Sequence, residues 1–304
     1  MNQTTEHSPY TASDLFRDVV RNIPFVTVHL CCLFAFVTGF SWWAVLLCIV
    51  LYVVRMFGIT AGFHRYFSHR SYSTSRVFQF LLGVLGTSAA QRGPLWWAAH
   101  HRHHHRHSDT EEDLHSPVQS GFFWSHVGWI MGHESSPTNT KAVRDLMKFP
   151  ELIFLNRFHM VVPLGLALGV FALGALLHRV YPESGITGFQ FLVWGFFIST
   201  VLLYHGTFTI NSLCHVIGSK RFVTHDESRN NFFLALLTLG EGWHNNHHRY
   251  PGSERQGFYW WELDLTHLTL RVFEALGLVW DLKTPPKHVY EEADQIQSEQ
   301  IRVG

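Results

Sequence analysis

The chain has 304 residues, and its composition is apolar, aromatic and rich in histidine. Hydrophobic residues make up 47% and charged residues only 15%, whereas charged residues reach about 25% in typical soluble domains. This composition excludes intrinsic disorder, and 23 Lys and Arg against 23 Asp and Glu leave no net charge that would attract nucleic acid. None of the four cysteines forms a C-x-x-C pair, so the 23 histidines are the candidate metal ligands.

Long apolar runs predict four membrane crossings, arranged as two helical hairpins. After a polar N-terminal segment, residues 1–22, the apolar stretch 23–63 is twice the length of about 20 residues that crosses a hydrocarbon core, so it should turn near Gly39. A second hairpin is predicted over 158–210, where two apolar segments surround a short polar loop. Arg55 lies within the first hairpin and should pair inside the bundle or reach the membrane interface.

The remaining polar sequence is predicted to form a helical cap on one side of the membrane. Its first part is 64–157, with an apolar interfacial helix over 77–90, and its second part is 211–286, followed by a polar, mobile tail at 287–304. Because the hairpin tips hold only Arg179 among the Lys and Arg residues, the positive-inside rule places the cap and the N-terminal segment in the cytoplasm. The predicted fold class is therefore an all-α integral membrane protein with four transmembrane helices and a cytoplasmic helical cap.

Three histidine clusters fall at the cap side of the predicted crossings. In the first cluster, His64 and His69 are five residues apart, which is about 140° of a regular helix, so His69 must lie where the helix ends or bends. The other two clusters are H-x-x-H-H runs, whose spacing puts three rings on one helix face and leaves His103 pointing away. These runs are His101, His104 and His105, and His244, His247 and His248.

Together the clusters predict a site for two metal ions. His215, which shares a helix face with Asn211, brings the candidates to nine, too many for one ion with about four to six ligands. Neutral rings need carboxylates to orient them, and the acids nearest in sequence are Asp109, Asp113 and Glu241. The alternative is a metal transporter, but that function predicts ligands inside the crossings rather than at their ends.

These motifs resemble those of the membrane fatty-acid desaturases, particularly bacterial Δ9-type enzymes related to animal stearoyl-CoA desaturases. The resemblance extends from Ile23 to Lys283 and includes GITAGFHRYFSHRSY (58–72), HRHHHRHSDTEEDLH (101–115), GFFWSHVGW (121–129), NSLCH (211–215) and GEGWHNNHH (240–248). It implies a non-haem di-iron centre in a protein of the bacterial inner membrane. The ligands it implies are His64, His69, His101, His104, His105, His215, His244, His247 and His248, with Asn211 acting through a water molecule.

The resemblance also implies a reaction. An enzyme of this family uses O2 and two external electrons to remove two hydrogens from adjacent methylenes of a saturated long-chain acyl group, here with C9 as the expected position. The chain contains no HPGG haem-binding segment, so the electrons are expected from a separate ferredoxin, rubredoxin or b-type cytochrome with its reductase. Arg249 and Arg255 are candidates for docking an acidic carrier. A fatty acyl hydroxylase of the same superfamily needs the same ligands and remains an alternative.

An apolar tunnel should set the position of the double bond, because a saturated chain has no polar handle there. The tryptophans near the clusters are its expected wall: Trp96, Trp97, Trp124 and Trp243. Where animal acyl-CoA desaturases have an Arg-Asp pair that helps to hold CoA, this chain has Ala99 and His100. Either other basic residues hold CoA, or the acyl group arrives on a membrane lipid; acyl-CoA is the favoured interpretation. The available basic residues are Arg70, Lys141, Arg144 and Lys148.

Overall fold

The computed structural model describes residues 12–133, 135 and 137–303, so residues 1–11 of the predicted N-terminal segment lie outside the described residues. Within the described part, four helices are long and apolar enough to cross a membrane. They are Phe16–Thr38, Trp42–Ser68, Val161–Val180 and Gly188–His215. The predicted fold class, a mostly helical membrane protein with two hairpins, is confirmed.

The first hairpin turns where the sequence predicted. Its elements are α1 (Ala12–Cys31), a 3₁₀ turn (Cys32–Phe34), α2 (Ala35–Thr38) and α3 (Trp42–Phe57). The chain reverses after α2 at Gly39, whose φ of 72° lies in the left-handed region that glycine adopts without a steric penalty. The Ser41 hydroxyl then accepts a hydrogen bond from the Ala44 amide at 3.2 Å and so caps the first turn of α3.

α3 continues into a π-helical segment, Gly58–Ser68, and this change of helix type places both histidines of the first cluster. A π-helix bonds each amide to the carbonyl five residues earlier. Here the His69 amide donates to the His64 carbonyl at 3.2 Å. His69 thus lies at the end of the segment, as its five-residue spacing from His64 requires. The wider turn brings both rings to the same side of the chain.

The cap is assembled around this segment and includes a small two-stranded sheet. Its first part contains β1 (Ser73–Thr74), α4 (Arg76–Ser88), α5 (Pro94–His107), α6 (Pro117–Ser120), a π-helical turn (Trp124–Gly128), α7 (Trp129–Met131), a 3₁₀ turn (Thr140–Val143) and α8 (Pro150–Arg157). α4 corresponds to the predicted apolar helix at 77–90. It packs so closely on the π-helical segment that a Cβ at Gly86 would lie 2.3 Å from the Phe63 ring.

The second hairpin and the rest of the cap complete the chain. The hairpin contains α9 (Val161–Val180), a 3₁₀ turn (Pro182–Ser184), α10 (Gly188–Phe191), a π-helical segment (Leu192–Ile198), α11 (Ser199–Asn211) and a 3₁₀ turn (Leu213–His215). The second part of the cap contains α12 (Phe232–Leu237), α13 (His244–Arg249), α14 (Leu265–Ala275), β2 (Val279–Trp280) and α15 (Lys287–Val303). β2 pairs antiparallel with β1.

Arg55 joins the two hairpins inside the bundle. Its side chain is 1% exposed, and its guanidinium donates to the hydroxyls of Ser199 at 2.5 Å and Thr200 at 2.8 Å. The Nε–H donates to the Leu51 carbonyl at 3.1 Å. The predicted pairing within the bundle therefore occurs, and hydroxyl and carbonyl oxygens accept the hydrogen bonds of this buried cation.

α1 lies at the edge of the bundle. None of the residues in its most apolar window is buried, whereas 61% are buried in the fourth crossing. A row of histidines connects α1 to its neighbours: His29 Nε2 is 3.3 Å from His205 Nε2, and His205 Nδ1 is 3.0 Å from His126 Nε2. A few polar contacts, and not extensive burial, thus hold this helix in place.

The prediction of a mobile tail from Lys287 is wrong for the described residues. They form α15, whose Val289 and Ala293 pack in one cluster with Phe222 and Phe258 of the cap. Val289 is 0% exposed and Ala293 is 5% exposed. Because only a few apolar residues occur among many polar ones, the helix shows a weak apolar stripe in the sequence, and tertiary packing determines its structure.

The close packing of α4 on the π-helical segment can be tested by adding one methyl group to α4. We expect Gly86→Ala to destabilise the protein by about 1–3 kcal/mol, as overpacking of a well-filled core does, because its Cβ would clash with Phe63. Gly165→Ala on α9 is the matched control, since a Cβ there meets nothing within 4 Å. The measurement is the melting temperature of each purified variant in detergent. Equal melting temperatures for the two variants would contradict the packing.

Candidate metal centre

The nine predicted histidines come together in two groups at the cap ends of the second and fourth crossings. Within each group, the ring nitrogens that face the centre lie within 4.8 Å of one another. The sequence left the division between two ions open, and the structure divides the rings into five and four. The first group is His64, His69, His101, His105 and His247, and the second group is His104, His215, His244 and His248.

Two short helices each contribute to both groups. On α5, His101 and His105 join the first group, while His104 joins the second. α13 divides its three histidines in the opposite proportion, with His247 in the first group and the other two in the second. His103 belongs to neither group, because its Nε2 contacts the Glu112 carbonyl at 2.8 Å. Each H-x-x-H-H run places three rings on one face of its helix, and that helix therefore contributes histidines to both groups.

The spacing of the ring nitrogens fits metal coordination. Two ligands at right angles, each about 2.1 Å from one ion, are about 3 Å apart. The observed Nε2–Nε2 distances are 3.0 Å for His64 and His247, 2.8 Å for His69 and His101, 2.9 Å for His105 and His247, and 3.1 Å for His215 and His244. An all-imidazole set suits iron, copper, zinc or nickel. Each group can therefore hold one such ion.

Carboxylates lie behind the rings, on the side away from each centre. The three acids selected from the sequence are placed there: Asp113 is 3.0 Å from His104 Nδ1, Asp109 is 2.8 Å from His215 Nδ1, and Glu241 is hydrogen-bonded to His64 Nδ1. A carboxylate that accepts the Nδ1 proton fixes the tautomer and leaves the Nε2 lone pair for a metal ion. The geometry thus prepares these rings to coordinate through Nε2.

Asp226 does the same for His248, although no pattern in the sequence singled it out. Its Oδ2 is 2.6 Å from His248 Nδ1, and no other described group forms a hydrogen bond with the buried His248 Nε2. Burial alone would raise the pKa of Asp226, but the hydrogen bond and charge of His248 hold it well below its usual range. Asp226 precedes His248 by 22 residues, so no short motif links them.

Glu241 is itself held by a buried arginine. Arg65 is 1% exposed and donates to Glu241 at 3.0 Å and to Asp264 at 3.0 Å. Gln256 adds a further hydrogen bond to Glu241 at 2.7 Å. Burying a carboxylate without such partners would be costly. Arg65 and Gln256 therefore fix the acid that orients His64, although neither was selected from the sequence.

Five of the nine rings are kept neutral, the form in which imidazole can bind a metal. Burial, followed by repulsion from neighbouring imidazoles, lowers the pKa of these five histidines well below its ordinary value: His69, His101, His105, His244 and His247. In a buried pocket, uncharged ring nitrogens whose lone pairs face one another are stabilised when a cation lies between them. The side chains present therefore fit two metal ions.

His104 also belongs to a third set of possible ligands, with Asp113 and His115. One ring nitrogen of His104 contacts Asp113, and the other faces His215, His244 and His248. The ring therefore serves the second group, and Asp113 acts as its hydrogen-bond acceptor.

A cavity of about 660 Å³ reaches the first histidine group at His101 and is also lined by Asn211. Trp96 and Trp97 line it. Trp124 and Trp243 lie outside the lining, where their indole N–H groups donate to the carbonyls of Leu114 at 3.1 Å and Leu263 at 3.0 Å. Two of the four tryptophans thus face this cavity, and the other two pack within the cap.

The basic residues considered for CoA lie outside the lining of this cavity. Lys141, Arg144 and Lys148 are exposed on the cap, and Arg70 is paired with Asp145 at 2.9 Å. In contrast, His100 lines the cavity.

Comparison with known proteins identifies the family. The chain matches the family described as fatty acid desaturase over residues 40–281. It is 41% identical over 269 residues to the sn-1 stearoyl-lipid 9-desaturase of Synechocystis sp., covering 86% of this chain and 79% of the relative. It is 38% identical over 271 residues to the protein of the same name from Anabaena variabilis, covering 88% and 94%. It is also 38% identical over 268 residues to the acyl-CoA C20 Delta5-desaturase of Anemone leveillei, covering 85% and 79%.

This chain belongs to the fatty acid desaturase family, as its histidine motifs indicated. It is an oxidoreductase of lipid metabolism that acts on the acyl chain of acyl-CoA or of an acyl-lipid, and it is an integral membrane protein.

The one-face geometry predicts unequal effects along α5. We expect His104→Ala and His247→Ala to abolish turnover and lower the metal content while the protein still inserts, since each removes a ring from a group. His103→Ala should keep most of the activity, because that ring belongs to neither group. Product formation and metal per protein, measured on the same membranes, check this expectation. Equal losses in all three variants would contradict the assignment.

Because Asp226 orients His248, replacing it should weaken metal binding even though all nine imidazoles remain. Asp226→Asn keeps the shape but weakens the acceptor for His248, and losing such a partner typically costs 10–100-fold in metal affinity or activity. Glu227→Gln is the control, because the Glu227 carboxylate is next to Asp226 in the sequence but is 44% exposed and pairs with Lys220. Metal affinity can be compared by competition with a chelator. If both variants bind metal as the unmodified protein does, Asp226 does not support the site.

Proposed function

We propose that this desaturase inserts a cis double bond at C9 of a saturated long-chain acyl group, using two iron ions, O2 and two external electrons. The observation that carries the proposal is the contact between a largely apolar cavity and His101, a member of the first of two groups of convergent imidazoles. Two of the relatives are named as 9-desaturases. The balanced reaction consumes O2, two electrons and two protons, and yields one double bond and two water molecules.

The protein supplies position and exclusion of water, while the metal supplies the oxidising power. When bound, the two iron ions would activate O2 for hydrogen removal. Trp97 stacks on His101 with ring centroids 5.0 Å apart, so the indole forms the wall between the cavity and the first group. An acyl chain confined there presents one pair of adjacent methylenes to the centre. Holding these unactivated carbons in position lowers the barrier to their reaction.

We also propose that the cap faces the cytoplasm of a bacterium and that the chain lies in the inner membrane. The strong bias of Lys and Arg towards the cap side supports this orientation. The electrons then come from a cytoplasmic ferredoxin or rubredoxin, or from a b-type cytochrome with its reductase. Arg249 pairs with Glu292 and Arg255 donates to the Gly257 carbonyl, so neither presents an unengaged charge to an acidic carrier.

The proposal is tested in a desaturase-deficient bacterial host that expresses an electron donor. We expect a new monounsaturated acid with its double bond at C9 in cells carrying the unmodified protein, and none in cells carrying His247→Ala. Gas chromatography–mass spectrometry of disulfide adducts locates the bond, and elemental analysis of the purified protein identifies the metal. A hydroxylated product, or a double bond at another carbon, would overturn the proposal.

A further inference from the structure

An open apolar groove of about 710 Å³ lies between the second crossing, α4 and α14. It shares no lining residue with the cavity that reaches His101. The residues that line it are leucines, valines and phenylalanines except for Thr269, whose hydroxyl donates to the Leu265 carbonyl at 2.8 Å. Because this hydroxyl is already satisfied, the side chains of the groove offer only hydrocarbon to a ligand. The volume lies within the range of about 300–1,000 Å³ that ligand pockets have.

The position of the groove along the second crossing places it inside the membrane. Val53, Val54 and Phe57 of α3 line it, and α3 begins at Trp42. Trp42 is 77% exposed beside the hairpin turn, as is typical of a tryptophan at a membrane surface. At about 1.5 Å per residue, Phe57 is about 22 Å along the helix from Trp42, whereas the hydrocarbon core is about 30 Å thick. The groove therefore lies in hydrocarbon, on the cap side of the midplane.

α14 reaches the same depth because it packs directly on the end of α3. The centre of the Phe273 ring is 5.7 Å from that of Phe57 and 5.5 Å from that of Phe78 on α4, with the rings edge to face in both pairs. The hydroxyls of Thr60 and Thr266 are 2.7 Å apart. These contacts fix α14 against the crossing, so α14 cannot lie in water while this part of α3 lies in hydrocarbon.

The exposed side of α14 is apolar, which suits lipid. Leu268 and Val272, one turn apart, line the groove and are 52% and 57% exposed. Leu81 of α4 also lines the groove and is 52% exposed. An extended apolar patch of this kind marks a surface that contacts a protein or a membrane. The depth of the groove identifies that partner as lipid.

We infer that α14 is embedded in the cap-side leaflet of the bilayer and that the groove binds an acyl chain of a membrane lipid. A helix that lies in the interface buries its apolar face about 5–10 Å below the headgroups. This agrees with the about 8 Å that remain between Phe57 and the cap-side edge of the hydrocarbon core. The bound lipid is a structural partner and is separate from the acyl substrate, because the groove and the substrate cavity have different walls.

The lipid also supports the metal centre through the residue that caps α14. Asp264 accepts a hydrogen bond from the His267 amide at 2.9 Å and another from Arg65 at 3.0 Å. Arg65 also holds Glu241, the acid that orients His64. A displacement of α14 would move a carboxylate that fixes Arg65. Lipid that fills the groove therefore stabilises α14 and, with it, the first histidine group.

Contact with lipid is tested by photo-crosslinking of the full chain. p-Benzoylphenylalanine is introduced in place of Leu268, or in place of Arg144 as a control on the exposed cap. The protein is irradiated in nanodiscs of phosphatidylcholine and phosphatidylglycerol. We expect mass spectrometry to find lipid acyl adducts at position 268 and none at position 144. An adduct with a protein chain at position 268, no adduct there, or equal lipid adducts at both positions would overturn the assignment of the groove to lipid.

The depth of α14 is tested by Leu268→Gln in the same nanodiscs. A leucine that faces water can be replaced by glutamine at little cost, whereas in hydrocarbon the amide has no hydrogen-bond partner. We therefore expect Leu268→Gln to lower the melting temperature by several degrees. We also expect it to weaken metal binding severalfold, measured by competition with a chelator.

Val223→Gln is the matched control, because Val223 is 81% exposed on the cap and lies outside the groove lining. It should change neither quantity. Equal melting temperatures for the two variants would overturn the placement of α14 in the bilayer. A lower melting temperature of Leu268→Gln at unchanged metal affinity would overturn the support that the lipid gives to the metal centre.

Discussion

Nine imidazoles can converge in a buried site only if their rings are held in fixed orientations, and the rest of the cap meets this requirement. The lone pairs of the rings face one another at about the spacing that a metal ion bridges. Buried carboxylates hold the opposite side of four rings, and Arg65 in turn holds one of these acids. Removing one member leaves another buried polar group without its partner, which is why such networks behave as a unit.

Sequence patterns predicted those parts of the structure that depend on neighbours along the chain. The turn at Gly39 follows from the length of an apolar run, and the shared face of His101, His104 and His105 follows from helical spacing. Asp109 and Asp113 could be selected because they lie close to a histidine run. Asp226 could not, because it reaches His248 through the folding of a loop.

Other features escaped prediction because tertiary packing decides them. A π-helix has no compositional signature, so the pattern around His64 required a bend at His69 without revealing its form. α15 is polar enough to suggest a mobile tail, and burial of Val289 against Phe222 gives it a fixed place. The direction of the cavity was equally invisible, since the positions of Trp96 and Trp124 in the sequence do not show which way each indole points. Only one of them lines it.

The π-helical segment at Gly58–Ser68 has a consequence for how this chain can vary. Loss of one residue from it would allow the helix to return to the α form, and each residue of an α-helix turns the chain by about 100°. His69 would then leave the first group without any change to a ligand, a carboxylate or the apolar surface. Two sequences can therefore share every histidine and carboxylate of the site and differ in competence through the length of one helix, so gaps in an alignment carry as much information here as substitutions.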